Sequence, residues 1–239
     1  MEPILAGLLI APTVAGLSLG IAALGAFLIH QPLKTALKDQ LKGRTYERTR
    51  WAMRFAAGYG VMALAGLLLA LWQANAPFVL PLLLALPLAG VQLAFEARNR
   101  GRELLPEAAG ALALGATGAA ILMAAGWPST TALLLWALLG LRTLPALLYV
   151  RARLRGQRGE HDLRMPALLW HVAALVIVLA LVAAGMVAWP AAVGALIMLA
   201  RTAHGLWVAD PATRAPVIGM WEMIYGVIYA LLAAGAVAV

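Results

Sequence analysis

Long apolar runs alternate with short polar ones from one end of the chain to the other. A membrane-spanning helix needs roughly 20 apolar residues. By that rule the pattern predicts a short apolar piece at 3–11. Full-length spans follow at 13–34, 52–73, 77–95, 106–125, 128–149, 166–186, 188–207 and 216–238. The expected fold is all-α: a polytopic transmembrane helix bundle of eight full spans plus a truncated first helix. It forms a single integral membrane domain over 1–239.

The connectors alternate in character. Ala11-Pro12-Thr13, the stretch Gln73 to Pro77, the stretch Gly126 to Ser129 and the stretch Gly185 to Pro190 are short and uncharged. The stretches 34–54, 96–107, 150–165 and 209–215 are polar, and the Lys and Arg residues concentrate in or beside them. Positive charge is retained on the cytoplasmic side during insertion, so these four loops are expected there and the C-terminus outside. A miscounted span would put the charges on opposite faces, so the alternation supports the span count.

Composition agrees with this pattern. Hydrophobic residues make up 64% of the chain and charged residues 12%, far from the balance of a soluble domain. The net charge of +8 would suggest nucleic acid on a soluble protein. Here the cations lie between apolar segments, so the expected partners are anionic membrane lipids, with no nucleic acid. Cysteine is absent, which excludes disulfides, thiolate metal sites and a thiol nucleophile. No basic stretch precedes the first apolar run, so no cleavable signal pattern is present.

Within the spans, Pro81, Pro87 and Pro145 can kink helices whose freed backbone groups neighbours satisfy. Gly110, Gly115 and Gly118 with Ala111 and Ala119 give the 106–125 segment a small-residue face suited to close helix packing. Trp127, Trp170, Trp189 and Trp207 lie at predicted interfaces, as an aromatic belt would place them.

Ionisable side chains at membrane depth are costly and therefore informative, at roughly 2.5–3.5 kcal/mol each on insertion scales. Arg142 lies about two turns inside the 128–149 segment and Glu222 within the last span, while Glu107 opens the 106–125 segment. Arg142 and Glu222 read either as one structural salt bridge or as the lining of a cavity facing the polar loops. His30, His171 and His204 stand near span ends without metal-ligand spacing, which fits interfacial hydrogen bonding.

Two polar stretches stand out. The run Gln31 to Arg54, QPLKTALKDQLKGRTYERTRWAMR, carries seven of the 18 Lys and Arg residues, with Asp39 in its middle and Glu47 as its other acid. The second, LLYVRARLRGQRG at 147–159, places Tyr149 with Arg153, and Arg151 with Arg155, on shared faces if the helix continues. Guanidinium forks match phosphate oxygens bidentately, so the pair could clamp a phosphate or diphosphate. Ordinary positive-inside flanking is the plainer alternative.

The stretches QPLKTALKDQLKGRTYERTRWA, RELLPEAAGALALGA, LRTLPALLYVRARLRGQRG and VIGMWEMIYG resemble the YwiC-like family of bacterial integral membrane proteins. The resemblance implies a bacterial plasma-membrane protein of unestablished activity. Family members usually begin with a Glu-His-Gly-x-Trp stretch, whereas this chain begins at MEPILAG, inside what the pattern makes the first helix.

More distantly, the layout resembles the UbiA superfamily of prenyltransferases, in which nine helices form a ring. Asp-rich motifs after the second and sixth helices hold magnesium ions that bind an isoprenyl diphosphate. In this chain Lys38-Asp39 stands where the first motif begins, its second Asp is absent, and Arg151, Arg153 and Arg155 occupy the second region. A magnesium pair needs several carboxylate oxygens, which one aspartate cannot supply.

What that resemblance implies is a cytoplasm-facing cavity in which Lys38, Arg44, Arg48, Arg151 and Arg153 bind an isoprenoid diphosphate. Asp39 would be the catalytic or cation-positioning acid, Tyr149 a hydrogen-bond donor, and Arg142 and Glu222 the lining. An enzyme or degenerate enzyme acting on a polyprenyl or other lipid diphosphate is one expectation, with magnesium as an open cofactor and direct arginine binding of the diphosphate as the metal-free form. A non-catalytic lipid- or anion-binding protein, or a transporter, is the other.

Overall fold

A computed structural model describes the chain apart from residues 42, 44–45, 75–76, 158–162, 211 and 239, and apart from the side chain of residue 41. The described residues form nine α-helices and no strand: α1 (Glu2–Ile10), α2 (Val14–Leu41), α3 (Glu47–Gln73), α4 (Val79–Ala97), α5 (Leu104–Ala124), α6 (Ser129–Gly156), α7 (Arg164–Ala183), α8 (Pro190–Trp207) and α9 (Ala215–Val237). Seven of them are long and apolar enough to cross a membrane. The remaining two are α1, with nine residues, and α8, whose 18 residues include Arg201, Thr202 and His204. The protein is a polytopic membrane helix bundle.

Every apolar run becomes a helix, but several helices outlast their apolar runs. α2 continues past Pro32 and through Lys34, Lys38 and Asp39. α3 already starts at Glu47, so Arg48, Arg50 and Arg54 are helical and little of the expected basic loop lies outside helices. α6 likewise runs on to Gly156. Lys, Gln, Arg and Leu are good helix formers, so the end of an apolar run marks the membrane boundary rather than the helix end. At 1.5 Å per residue, the 28 residues of α2 and of α6 each reach about 42 Å, beyond a hydrocarbon core of about 30 Å. Pro81, expected as a kink, instead falls in the first turn of α4, where its missing N–H needs no helical partner. Pro87 and Pro145 are the interior prolines of their helices.

α5 is the buried centre, with Ala116, Ala119, Ala120, Ile121 and Leu122 fully inaccessible. It packs against α1, α2, α4 and α6, and α9 closes against α1, α6 and α8. α3 packs on α2 and α4 on α5, but α3 and α4 pack only sparsely on each other. Close approach depends on missing side chains. A Cβ on Gly118 of α5 would stand 2.8 Å from the Pro3 carbonyl oxygen of α1. One on Gly66 of α3 would stand 2.6 Å from the Ser18 carbonyl oxygen of α2. These contacts realise the small-residue packing expected of α5 and extend it to the α2–α3 pair.

Candidate functional site: a charged cleft along α6

The end of the bundle carrying the basic stretches holds a cleft of about 610 Å³ along one face of α6. Arg142, Thr143, Ala146, Leu147, Val150, Arg151, Leu154 and Arg155 supply that face, a stretch about 20 Å long. Arg102 and Glu107 of the α5 entrance close one side, and Glu2 of α1 with Glu222 and Met223 of α9 close the inner end. The cleft is therefore charged at both ends and apolar between them.

At the inner end four charges from four helices form a chain. Arg142 Nη1 donates to Glu2 Oε2 at 2.5 Å, and its Nη2 donates to the Glu222 carbonyl oxygen at 3.0 Å. The Glu222 carboxylate accepts from Arg201 Nη2 at 2.8 Å. Two cations and two anions balance, which is what burial of a guanidinium such as Arg142 or Arg201 requires. Arg201 also lies over the Tyr149 ring, 4.1 Å from its centroid, and 5.5 Å from that of Tyr225. Beside it the Thr202 hydroxyl donates to His171 Nε2 at 3.0 Å, while His171 Nδ1 donates to the Ala167 carbonyl at 2.8 Å. His171 is buried and belongs to this network, deeper than the interfacial role expected of it. A Cβ at Gly226 would meet the Glu2 carboxylate and the Arg142 guanidinium, so the ion pair would have to shift to admit one.

At the mouth, Arg151 Nη2 donates to Glu107 Oε2 at 2.9 Å and to the Arg102 carbonyl at 2.6 Å. Its buried Nε has no hydrogen-bond partner among the described residues. Just outside the spans, Arg100 is paired with Glu103, and those hydrogen bonds raise its pKa above the ordinary arginine value.

The expected site residues separate into three groups. Arg142, Arg151 and Glu222 line the cleft. Tyr149 and Arg153 are buried behind it. Arg153 donates to the carbonyls of Gly205, Ala209 (3.4 Å) and Asp210 (2.9 Å), capping the C-terminal end of α8, where unpaired carbonyls favour a cation. The Tyr149 hydroxyl packs where a Gly205 side chain would otherwise stand. The third group lies on the α2–α3 hairpin. Asp39 is 4% exposed and accepts from Arg48 Nε (3.1 Å), Arg48 Nη2 (2.9 Å) and Thr49 Oγ1 (2.7 Å). The Tyr46 N–H in turn donates to Thr49 Oγ1, so this cluster fastens the start of α3 to the end of α2. Lys38 is exposed on the same hairpin, and Arg44 lies outside the described residues.

None of the described hairpin residues lines the cleft, and α2 does not pack on α6. The two polar stretches expected to face one another are thus separate. A magnesium pair does not fit the residues present: Asp39 is a lone carboxylate already bracketed by a guanidinium fork. Among the described residues no three His, Asp or Glu side chains come together as a metal-ligand group.

Sequence reading missed Glu2, Arg102, Arg201 and Thr202. Arg201 was discoverable: it stands six residues inside the end of α8, as costly at that depth as Arg142. Its proximity to the polar 209–215 stretch hid it. Glu2 carried no signal, because the partner that explains it is 140 residues away.

No curated protein and no solved structure matches the chain. The family model for YwiC-like protein matches residues 1–122, from α1 to within two residues of the end of α5. That is half of the chain, and it includes Glu2, Arg102 and Glu107 of the cleft, so this helical membrane protein belongs to the YwiC-like family.

Proposed function

We propose that the protein binds a phosphorylated amphiphile of the isoprenoid diphosphate class in the α6 cleft, without a divalent metal. The observation that carries this reading is the mouth of the cleft. There Arg102, Arg151 and Arg155 stand over an apolar wall formed by Ala146, Leu147, Val150 and Leu154. Guanidinium groups match phosphate oxygens in pairs, and the buried Arg151 Nε, like that of Arg142, Arg153 and Arg201, has no hydrogen-bond partner among the described residues. Glu107 and the diphosphate compete for Arg151, so binding replaces one ion pair by another. Lys38, Asp39, Arg44 and Arg48 are not needed for it, and the distant UbiA-like layout supports the ligand class rather than the transfer reaction. The positive-inside rule places the basic loops, and with them the cleft, on the cytoplasmic side of a bacterial plasma membrane, with the C-terminus outside.

The test is direct binding of geranylgeranyl diphosphate to the purified protein, with and without magnesium, against geranylgeraniol. Saturable binding of the diphosphate alone, unchanged by magnesium and lost in Arg151→Ala, is expected. No binding in either condition overturns the reading.

A second reading rests on the inner end of the cleft. Charged groups within spans mark solute and proton pathways in transporters, and the chain Glu2–Arg142–Glu222–Arg201 lies at the foot of this cleft. Flux across proteoliposomes that survives substitution of Arg142 and of Glu222 unchanged removes it.

A further inference from the structure

Because α3 and α4 pack only sparsely on each other, a second concavity of about 830 Å³ lies between them, with α2 and α5 as its floor. Its lining is apolar and small: Ala22, Ala23 and Ala26 of α2, Ala63 of α3, Ala89 of α4 and Ala113 of α5 are among it. Along α2 it runs from Leu19 to His30, about 17 Å, or about half the thickness of a hydrocarbon core. That is the depth of one leaflet, and the His30 end is the basic end.

Polar groups gather at that end. His30 and Lys34 both pair with Glu96 of α4, the Lys34 Nζ–Oε1 distance being 3.2 Å. The carboxylate is thereby neutralised. Lys38, one turn further along α2, and Arg98, at the C-terminal cap of α4, are exposed at the same end of their helices. Asp39 does not offset these cations, since Arg48 and Thr49 hold it. Gln92 lies inside the rim over Gly110, and its amide makes no hydrogen bond to the described residues. The groove thus offers a leaflet-deep apolar slot, an unused amide at the depth of ester groups, and a cationic rim at the depth of phosphate.

We propose that this groove holds one anionic phospholipid of the basic-side leaflet. An acyl chain lies between α3 and α4, the ester carbonyl accepts from Gln92, and the phosphate sits over Lys34 and Arg98. The lipid fills the space that the sparse packing between α3 and α4 leaves and bridges the two helices. This site is separate from the α6 cleft and does not depend on what binds there.

Delipidated protein is titrated with phosphatidylglycerol or phosphatidylcholine and weighed intact by native mass spectrometry. One tightly held phosphatidylglycerol per chain is expected, with phosphatidylcholine held more weakly. Lys34→Gln, an exposed change that leaves the core alone, lowers the phosphatidylglycerol affinity about fivefold and leaves phosphatidylcholine unaffected. Ala26→Trp, which fills the groove from an exposed position, removes retention of both lipids. Equal retention of the two lipids, no effect of Lys34→Gln, retention that survives Ala26→Trp, or a dimer mass insensitive to lipid each overturns the proposal.

Discussion

Arg201 shows how one buried side chain constrains its neighbours. Only 5% of its side chain is accessible, and among the described residues its carboxylate partner is Glu222. Glu222→Gln leaves that guanidinium buried without compensation, a loss of about 3–5 kcal/mol, read as a lower melting temperature in detergent. The double variant Arg201→Met with Glu222→Met removes both charges and recovers most of it. Arg151 behaves oppositely. It lies at the mouth and holds only surface-side partners, so Arg151→Ala leaves the melting temperature nearly unchanged and abolishes diphosphate binding. This contrast follows from depth, which the sequence conveys for Arg142 and Glu222 because both stand alone in apolar runs. It does not convey partnership. Arg142 and Glu222 meet through a backbone carbonyl, while their carboxylate and guanidinium partners come from α1 and α8. Likewise the aspartate in the basic run was legible as unusual, but its engagement with Arg48 and Thr49 depends on a turn geometry that composition does not encode.

Helices were legible wherever twenty apolar residues ran together, because in a bilayer the backbone must satisfy its own hydrogen bonds. Their ends were not, because the polar residues that leave the membrane here are helix formers. Whether neighbours pack was also hidden, since it turns on where a side chain is missing. Two glycines of α3 isolate that effect. At Gly66 a Cβ would meet the Ser18 carbonyl oxygen at 2.6 Å and the Ala22 nitrogen at 2.8 Å, both backbone atoms that cannot swing aside. At Gly58 nothing lies within 4 Å. Gly66→Leu should therefore force α2 and α3 apart and destabilise the protein by about 1–3 kcal/mol, while Gly58→Leu on the same helix changes the melting temperature little. Equal effects at the two positions would mean that helix propensity, not interhelical contact, governs this pair.

The molecule as a whole has one charged end and one nearly uncharged end, and both proposed sites open toward the charged one. The α6 cleft has its arginine mouth there, and the α2–α5 groove has its cationic rim there. That arrangement is useful only if the end faces the compartment that supplies the anions, so sidedness bears on function as well as topology. Because the chain contains no cysteine, single introduced thiols report it without background. Lys38 is exposed in the last turn of α2 at the basic end, and Trp189, 68% exposed, stands between α7 and α8 at the opposite end. In intact cells a membrane-impermeant maleimide should label Trp189→Cys at once and Lys38→Cys only after permeabilisation. Labelling in the reverse order would put the basic loops outside and contradict the positive-inside assignment. The cleft mouth and the groove rim would then face the exterior, and an intracellular isoprenoid diphosphate could not reach Arg151 from its own side of the membrane.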